Sequence, residues 1–335
     1  MLIFLKKFLP HVRLIFILAV CACNGKKEKV EEKSDRIGLV PTFNSDSAYS
    51  FVAKQISFGP RIPNTSAHRA TGDYLQSSFR KYGARVMAQE FQAITFDGKR
   101  LYLKNIIASY NPGKQKRILL AAHWDTRPFA DKDPVNRDGK LDGANDGASG
   151  VSVLMEIARQ LGSNPLPDIG VDLILFDGED WGEKDNANGS IPPPAGLDSW
   201  WCLGSQYWAR NKHRPGYSAY YGILLDMVGG QNARFFQEGN SVEFAPRIVE
   251  KVWNAAARLG FSSIFIRQKE RAIIDDHLFI NEIAKIPTID ITPFDPGRGY
   301  FGNFHHTQQD NISLINKEML GIVGTVLLNV MYYEE

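Results

Sequence analysis

A chain of 335 residues with 44% apolar content can bury a sizeable core, which excludes a disordered protein and fits one large domain preceded by a short tail. Its 39 basic and 37 acidic residues leave a formal charge of only +2, and no basic run sits beside aromatics. Nucleic acid and an anionic membrane surface are therefore not implied as partners.

The first segment stands apart from the rest. Lys6, Lys7 and Arg13 precede the apolar stretch 14–20, too short for a spanning helix, which runs into small residues and cysteines. It reads as a secretion signal. Val20-Cys21-Ala22-Cys23 resembles a bacterial lipobox, giving a signal over residues 1–22 and Cys23 as the lipidated first residue. An ordinary cleaved signal or an uncleaved anchor is the alternative. Residues 24–36, rich in Lys and Glu, fit a solvated tether, which we set at 23–40 ahead of a catalytic domain at 41–335. The expected location is the bacterial cell envelope, as an exported lipoprotein facing the periplasm or the exterior, held to the membrane by lipid on Cys23. Of the three cysteines, only Cys23 and Cys202 would survive signal removal, so no intramolecular disulfide is expected. Cys202, in Trp200-Trp201-Cys202-Leu203, reads as a buried small apolar residue with no evident partner for nucleophilic catalysis.

Beyond the tether, helical and strand-like segments alternate. Periodicity predicts helices over 70–82, 148–161, 246–259, 277–284 and 317–332, and strands over 101–109, 117–122, 171–176, 221–227 and 286–291. The 148–161 segment carries Val151, Leu154, Met155, Ala158 and Leu161 on one stripe. This alternation predicts a single-domain α/β fold: a mostly parallel central sheet flanked by helices on both faces.

In such sheets functional groups gather outside the carboxyl ends of the strands, and there this chain places its acids. His123 and Asp125 follow Ala122; Asp177, Glu179 and Asp180 follow Phe176; Asp226 follows Leu225; Asp290 sits inside the 286–291 strand. Carboxylates gathered in a partly dehydrated site oppose one another's ionisation, and a metal ion relieves that cost. Asp146, Asp180 and His306 form the preferred ligand trio. Two carboxylates and one imidazole suit Zn²⁺ and leave a position open for water or substrate.

Each candidate also has a structural reading. Asp146, in Gly143-Ala144-Asn145-Asp146-Gly147-Ala148, could cap the helix that follows. Asp180 taken singly would be a solvated loop acid, but it stands beside Glu179 at the end of a buried strand. His306, in Phe304-His305-His306-Thr307, could be a surface histidine.

These motifs, in this order, resemble the M28 zinc peptidase superfamily and, within it, the animal-type glutaminyl cyclases found in some bacteria as well as animals. The resemblance runs from Phe58-Gly59-Pro60-Arg61 to the C-terminal helix and includes HWDTRPFAD, LDGANDGASGV, WCLGSQYW, LLDMVGG and DDHLFINEIAKIPTIDI. It implies a zinc aminopeptidase-like fold, one zinc per chain on Asp146, Asp180 and His306, and Glu179 as general acid and base. Asp226 and Asp275 would be supporting acids. M28 aminopeptidases hold two zinc ions, and His123, Asp146, Asp180, Asp226 and His306 match those five ligand positions by type. Ile274-Asp275-Asp276-His277 resembles the cyclases, in which the first Asp bonds to the acid matching Asp226, so that a shared proton replaces the second zinc.

The implied activity is that of a glutaminyl-peptide cyclotransferase, an acyltransferase that turns the N-terminal glutamine of peptides or proteins into pyroglutamate and releases ammonia. The alternative is a dinuclear-zinc aminopeptidase, whose glutamate activates a metal-bound water; a non-catalytic surface lipoprotein is disfavoured by the retained ligand set. Trp181, Trp200, Trp201, Phe301 and Phe304 are near the motifs in sequence and suit aromatic walls around a glutamine side chain, with Trp201, Trp181 and Phe304 preferred. The stretch 186–198, with Ile191-Pro192-Pro193-Pro194, would border the entrance or form a surface insertion. One departure stands out: the cyclases usually carry Trp immediately before the histidine ligand, where this chain has His305. That substitution loses apolar wall, adds a titratable group, and raises His305 as a rival ligand, although Thr307 keeps the His-Thr pair with His306.

Overall fold

The computed structural model describes residues 40–166, 168–184 and 192–334. The expected signal, the lipidated Cys23 and the tether up to residue 39 lie outside the described residues, as does part of the 186–198 stretch. Among the described residues no helix is long and apolar enough to cross a membrane.

Helix α1 (Ser45–Ile56) starts where Asn44 accepts the Ser47 N–H, and α2 (Ser66–Lys81) where Thr65 accepts that of His68. Strands β1 (Arg85–Ile94) and β2 (Arg100–Tyr110) form a long antiparallel hairpin, paired from Arg85 opposite Ser109 to Ile94 opposite Arg100. Then follow β3 (Arg117–His123), α3 (Ala148–Ser163), β4 (Gly170–Phe176), α4 (Leu203–Arg210) and β5 (Tyr221–Leu225). Short elements come next: β6 (Phe235–Gln237), α5 (Gly239–Phe244), α6 (Pro246–Arg258), β7 (Phe265–Lys269) and α7 (Asp276–Phe279). The chain closes with β8 (Thr288–Ile291), the bridge pair β9 (Phe294–Asp295) and β10 (Gly299–Tyr300), and α8 (Lys317–Tyr332).

The main sheet has the order β1-β2-β4-β3-β5-β8. Strands β4, β3, β5 and β8 pair in parallel, while β2 joins β4 and β1 joins β2 antiparallel. The α/β architecture with flanking helices is as expected, with the sheet mixed at one edge. Every residue of β3, β4, β5 and β8 is buried, as central strands covered on both faces require. On one face α1, α3, α6 and α8 contribute to a large core with Val52, Leu154, Trp253 and Leu327; on the other, Phe176, Trp208, Tyr217 and Ile280 form a second. Helix α3 crosses β5 closely, because a Cβ on Gly150 would stand 2.4 Å from the Leu225 carbonyl oxygen.

Periodicity does not predict α1, β1 and α4, nor the short β6, α5, β7, β9 and β10. β1 is an edge strand in which nine of ten residues are exposed or half-exposed, so neither period stands out. The 277–284 segment is one α-turn followed by a π-turn over Ile280–Ala284, ended by Lys285 at φ 58°. The 221–227 strand stops at Leu225, since Met227 adopts φ 52°.

Candidate active site

The carboxyl ends of β3, β4 and β5 deliver His123, the Asp177–Asp180 loop and Asp226 to one crevice, into which the 143–147 and 304–310 loops also project. Asp125 organises the middle of it. Its two buried oxygens accept the N–H groups of Glu179 and Asp180 at 3.1 and 3.2 Å, so the loop after β4 is pinned from the neighbouring strand.

Asp146 does not cap α3. Gly147 occupies the cap position at φ 74° with no side-chain cap bond, leaving the Asp146 carboxylate for the crevice. Asp310 holds this loop by accepting the N–H groups of Asn145 and Asp146, and the buried Arg61 guanidinium donates to the carbonyls of Gly143 at 2.7 Å and Asp146 at 3.2 Å. Asp146 Oδ1 then lies 3.0 Å from His123 Nε2. Its Oδ2 is buried without a hydrogen-bond partner, 3.7 Å from His306 Nε2.

Asp180 reaches the same histidine. Its Oδ1 is 3.0 Å from His306 Nε2, while Oδ2 accepts the Arg127 N–H at 2.9 Å. The Arg127 guanidinium is itself gripped by both oxygens of Asp131 at 2.7 and 2.6 Å and donates to the Asp180 carbonyl at 3.0 Å. His306, at φ 56°, therefore stands with its Nε2 between the Asp146 and Asp180 carboxylates.

His305 is turned differently. Lys132 Nζ lies 2.9 Å from His305 Nδ1, and an ammonium can only donate, so Nδ1 is the acceptor and the ring proton belongs on Nε2. Nε2 is the atom facing Asp146 Oδ2, at 3.8 Å, and with its proton in place it has no lone pair for a cation. That tautomer favours His306 as the ligand.

The remaining acids continue the belt. Asp226 Oδ1 is 3.2 Å from His123 Nε2. Asp275 caps α7 by accepting the Asp276 N–H and lies in two groups whose ligating atoms all fall within 4.8 Å of one another, one with Glu179 and Cys202, the other with His277 and Asp290. Further groups of that kind join His123 with Asp146 and Asp226, His123 with Glu179 and Asp180, and Asp146 with His305 and His306. Behind them His277 Nε2 pairs with Glu238 at 2.9 Å.

Burial sets the protonation of this belt. It raises the carboxyls of Asp180 and Asp226 to about 6 and that of Asp275, helped by the Asp226 charge, to about 7. Burial also lifts Glu179, Asp276 and Asp290 well above the ordinary carboxylate range. For His123 burial opposes the charge, but the hydrogen bonds its ring donates to Asp125, Asp146 and Asp226 prevail and hold its pKa well above the usual value. Gathered acids kept short of ionisation and an orphaned Asp146 oxygen fit a divalent cation. Two carboxylates and an imidazole are the donor types zinc takes.

The aromatic candidates separate. Trp201 stacks on His306 with ring centroids 5.8 Å apart and planes 2° apart, under the Arg127 guanidinium at 4.6 Å. Gly182 makes this possible, since a Cβ there would sit 1.9 Å from the indole. Phe304 lies against Gly230 and Gly302. Trp181 is spent on packing: it is 5% exposed, in an apolar cluster with Ile62, Phe91, Leu101, Leu103 and Leu203. Its sequence neighbour Asp180 turns to the crevice, and the following side chain turns away. Cys202 is buried as expected, yet it has a partner: its thiol is 3.2 Å from Glu179 Oε1.

Sequence reasoning missed Arg61, Arg127 and Asp310, and gave Asp125 no task. Arg127 stands inside the HWDTRPFAD string and Asp310 four positions after His306, but nothing local marks either as a loop anchor.

The model of peptidase family M28 matches residues 105–331. The chain belongs to this family. Among solved structures, this M28 chain is similar to a Bacteroides thetaiotaomicron glutaminyl cyclase crystallised with N-acetylhistamine, at 49% identity over 88% of this chain and 100% of that one, with a TM-score of 0.84. It is also similar to a structure described as a leucine aminopeptidase precursor from the same organism, at 48% identity over 88% and 99% of the two chains, TM-score 0.82. A glutaminyl-peptide cyclotransferase of Gloydius blomhoffii is 25% identical over 91% of this chain and 89% of its own length.

Proposed function

We propose that this M28 chain is a glutaminyl-peptide cyclotransferase acting on peptides or proteins with N-terminal glutamine. Likeness to the cyclases over nearly the whole described domain supports the reading. The observation that carries it within the site is Asp275: its buried carboxyl comes within 4.8 Å of Glu179 and Cys202 and feels Asp226 as the largest nearby charge. A carboxyl raised to about 7 by burial and by the Asp226 charge leaves less negative charge in the neighbourhood where a dinuclear enzyme needs it for a second cation.

We assign the one zinc ion of this reading to Asp146, Asp180 and His306. When bound it supplies Lewis acidity toward the glutamine side-chain amide. The chain's own groups do the rest. Trp201 and Phe304 offer apolar walls, and a substrate folded against them brings its α-amine to its own amide carbon, making the attack intramolecular. Glu179 takes a proton from that amine and delivers it to the departing nitrogen, so ammonia leaves and the lactam ring remains. Burial favours this exchange, because a carboxyl raised toward neutrality can both accept and return a proton. Asp275, beside Glu179, and Asp226 are the supporting acids of this reading.

A second reading has an observation of its own. His123, Asp146 and Asp226 bring ligating atoms within 4.8 Å of one another, a buried set able to take a second ion, as an aminopeptidase requires. Incubation with Gln-initiated and with Leu- or Ala-initiated peptides separates the two by mass spectrometry. The cyclase gives loss of one ammonia from the first set and leaves the others intact; shortened peptides overturn it. Anchoring in the cell envelope through Cys23 belongs to the same proposal and rests on the Val20-Cys21-Ala22-Cys23 sequence alone.

A further inference from the structure

We propose that Cys202 is a positioning residue for Glu179: its thiol donates a hydrogen bond to Oε1 and fixes the direction in which the carboxylate faces substrate. The inference builds on the proton-carrying role given to Glu179 above. Sγ lies 3.2 Å from Oε1, and Cys202 is completely buried. The other carboxylate oxygen, Oε2, is 4.0 Å from His123 Nδ1, beyond a normal hydrogen bond. One oxygen is thus held and the other is left for the reacting amine.

The backbone is arranged to bring the thiol there. Cys202 donates its N–H to the Glu179 carbonyl at 2.9 Å, and Leu203 donates to that of Gly178 at 3.1 Å, so the start of α4 is clamped onto the Gly178–Glu179 turn. Cys202 takes φ 59° and ψ 39°, a left-handed conformation that costs a side-chain-bearing residue on the order of 1 kcal/mol and that glycine would adopt freely. At this kink the side chain folds back onto the residue whose carbonyl its own N–H engages. Burial above all keeps the sulfur protonated, hence a donor and not a nucleophile. The same turn lays Trp201 against His306, so one dipeptide sets both a wall of the site and the aim of its base.

Three variants of the full-length protein test this: Cys202→Ser, which keeps a donor, and Cys202→Ala and Cys202→Val, which remove it; Val adds bulk and β-branching at a left-handed backbone, so Ala is the decisive variant and the Tm of Val is read beside its kinetics. Metal content and Tm are measured alongside steady-state kinetics on Gln-initiated peptides. Ala and Val should lower kcat on the order of tenfold, the scale of a misaimed catalytic group, with KM changed less than about twofold. Ser should recover most of the loss, and all should keep their metal. Crystal structures of Val and Ser variants should show the carboxylate swung in the first and retained in the second. If Val or Ala turns over like the parent, or if Ser falls as far as Ala, the thiol only fills space and the proposal fails. A failure of the cyclase reading looks different, for then the unsubstituted protein releases no ammonia. If it cleaves Leu-initiated peptides instead, the same variants are compared on that reaction.

Discussion

Asp310 accepts the backbone N–H groups of Asn145 and Asp146 at 2.7 and 3.0 Å, one on each carboxylate oxygen. A residue four positions beyond His306 thereby fixes the loop that carries Asp146, and the two ends of the site are held in register by a single side chain. Asp310→Ala leaves two buried N–H groups without an acceptor, at a cost of about 2 kcal/mol. We expect a lower Tm and metal affinity weaker by roughly 10- to 100-fold, as for other groups that orient ligands. Competition against a calibrated chelator measures the affinity; an unchanged value shows that the loop holds itself.

Glu179→Gln keeps the size of the side chain and removes its capacity to carry a proton. Its backbone remains tied to Asp125 and Cys202, so metal content and Tm should match the parent. Turnover should drop by about 10²- to 10⁴-fold. A variant that stays active removes Glu179 from its assigned role.

Stripping the metal should make stability depend on pH in a defined direction. Asp180 and Asp226 titrate near 6, and Asp275 and Asp310 near 7, all raised from 3.8 by burial. Raised acids mean that the folded state binds more protons than the unfolded one above about pH 4. Stability is therefore lost as pH rises through 6 to 7, and His123, also raised, extends the loss upward. His305 and His306, lowered chiefly by burial, work the other way, but only below their ordinary value of 6.5. A bound cation offsets the carboxylate repulsion. The Tm gap between metal-loaded and chelator-treated protein should widen from pH 5 to pH 8, and a gap that stays flat sinks the account.

Trp201→Ala removes the indole between His306 and Arg127. Losing both the stacking and a wall for the substrate should raise KM on the order of tenfold, the scale of one buried aromatic contact. Trp181→Ala, in its packing cluster, should instead lower Tm, with a cost of about 3 kcal/mol and little change in KM once folded. Kinetics and melts on the two variants should separate them; equal KM effects would place Trp181 at the site after all.

The positions of Glu179, Asp180 and Asp226 were legible because a run of buried strand ends in an acid, and a parallel strand can only release its functional groups at its carboxyl end. The same logic could not see which way a side chain turns in a loop. Trp181 follows Asp180 directly, yet one faces His306 and the other an apolar cluster. His306 was preferred to His305 only through the Thr307 that follows it, and the contact of Lys132 with His305 Nδ1 supplies a structural reason. Cys202 looked inert since its partner is 23 positions away.

What the sequence by itself determined was the alternation of strand and helix, the burial of the central strands, and the collection of acids and imidazoles at their ends, all properties of neighbouring residues and their periodicity. Tertiary structure alone decided which oxygen meets which nitrogen. Arg61, Arg127 and Asp310 act on loops 50 or more positions away through backbone carbonyls and N–H groups, as in the 53-position reach from Arg127 to Asp180. Such bonds leave no trace in composition or spacing, because every residue offers the same backbone groups and only folding chooses among them.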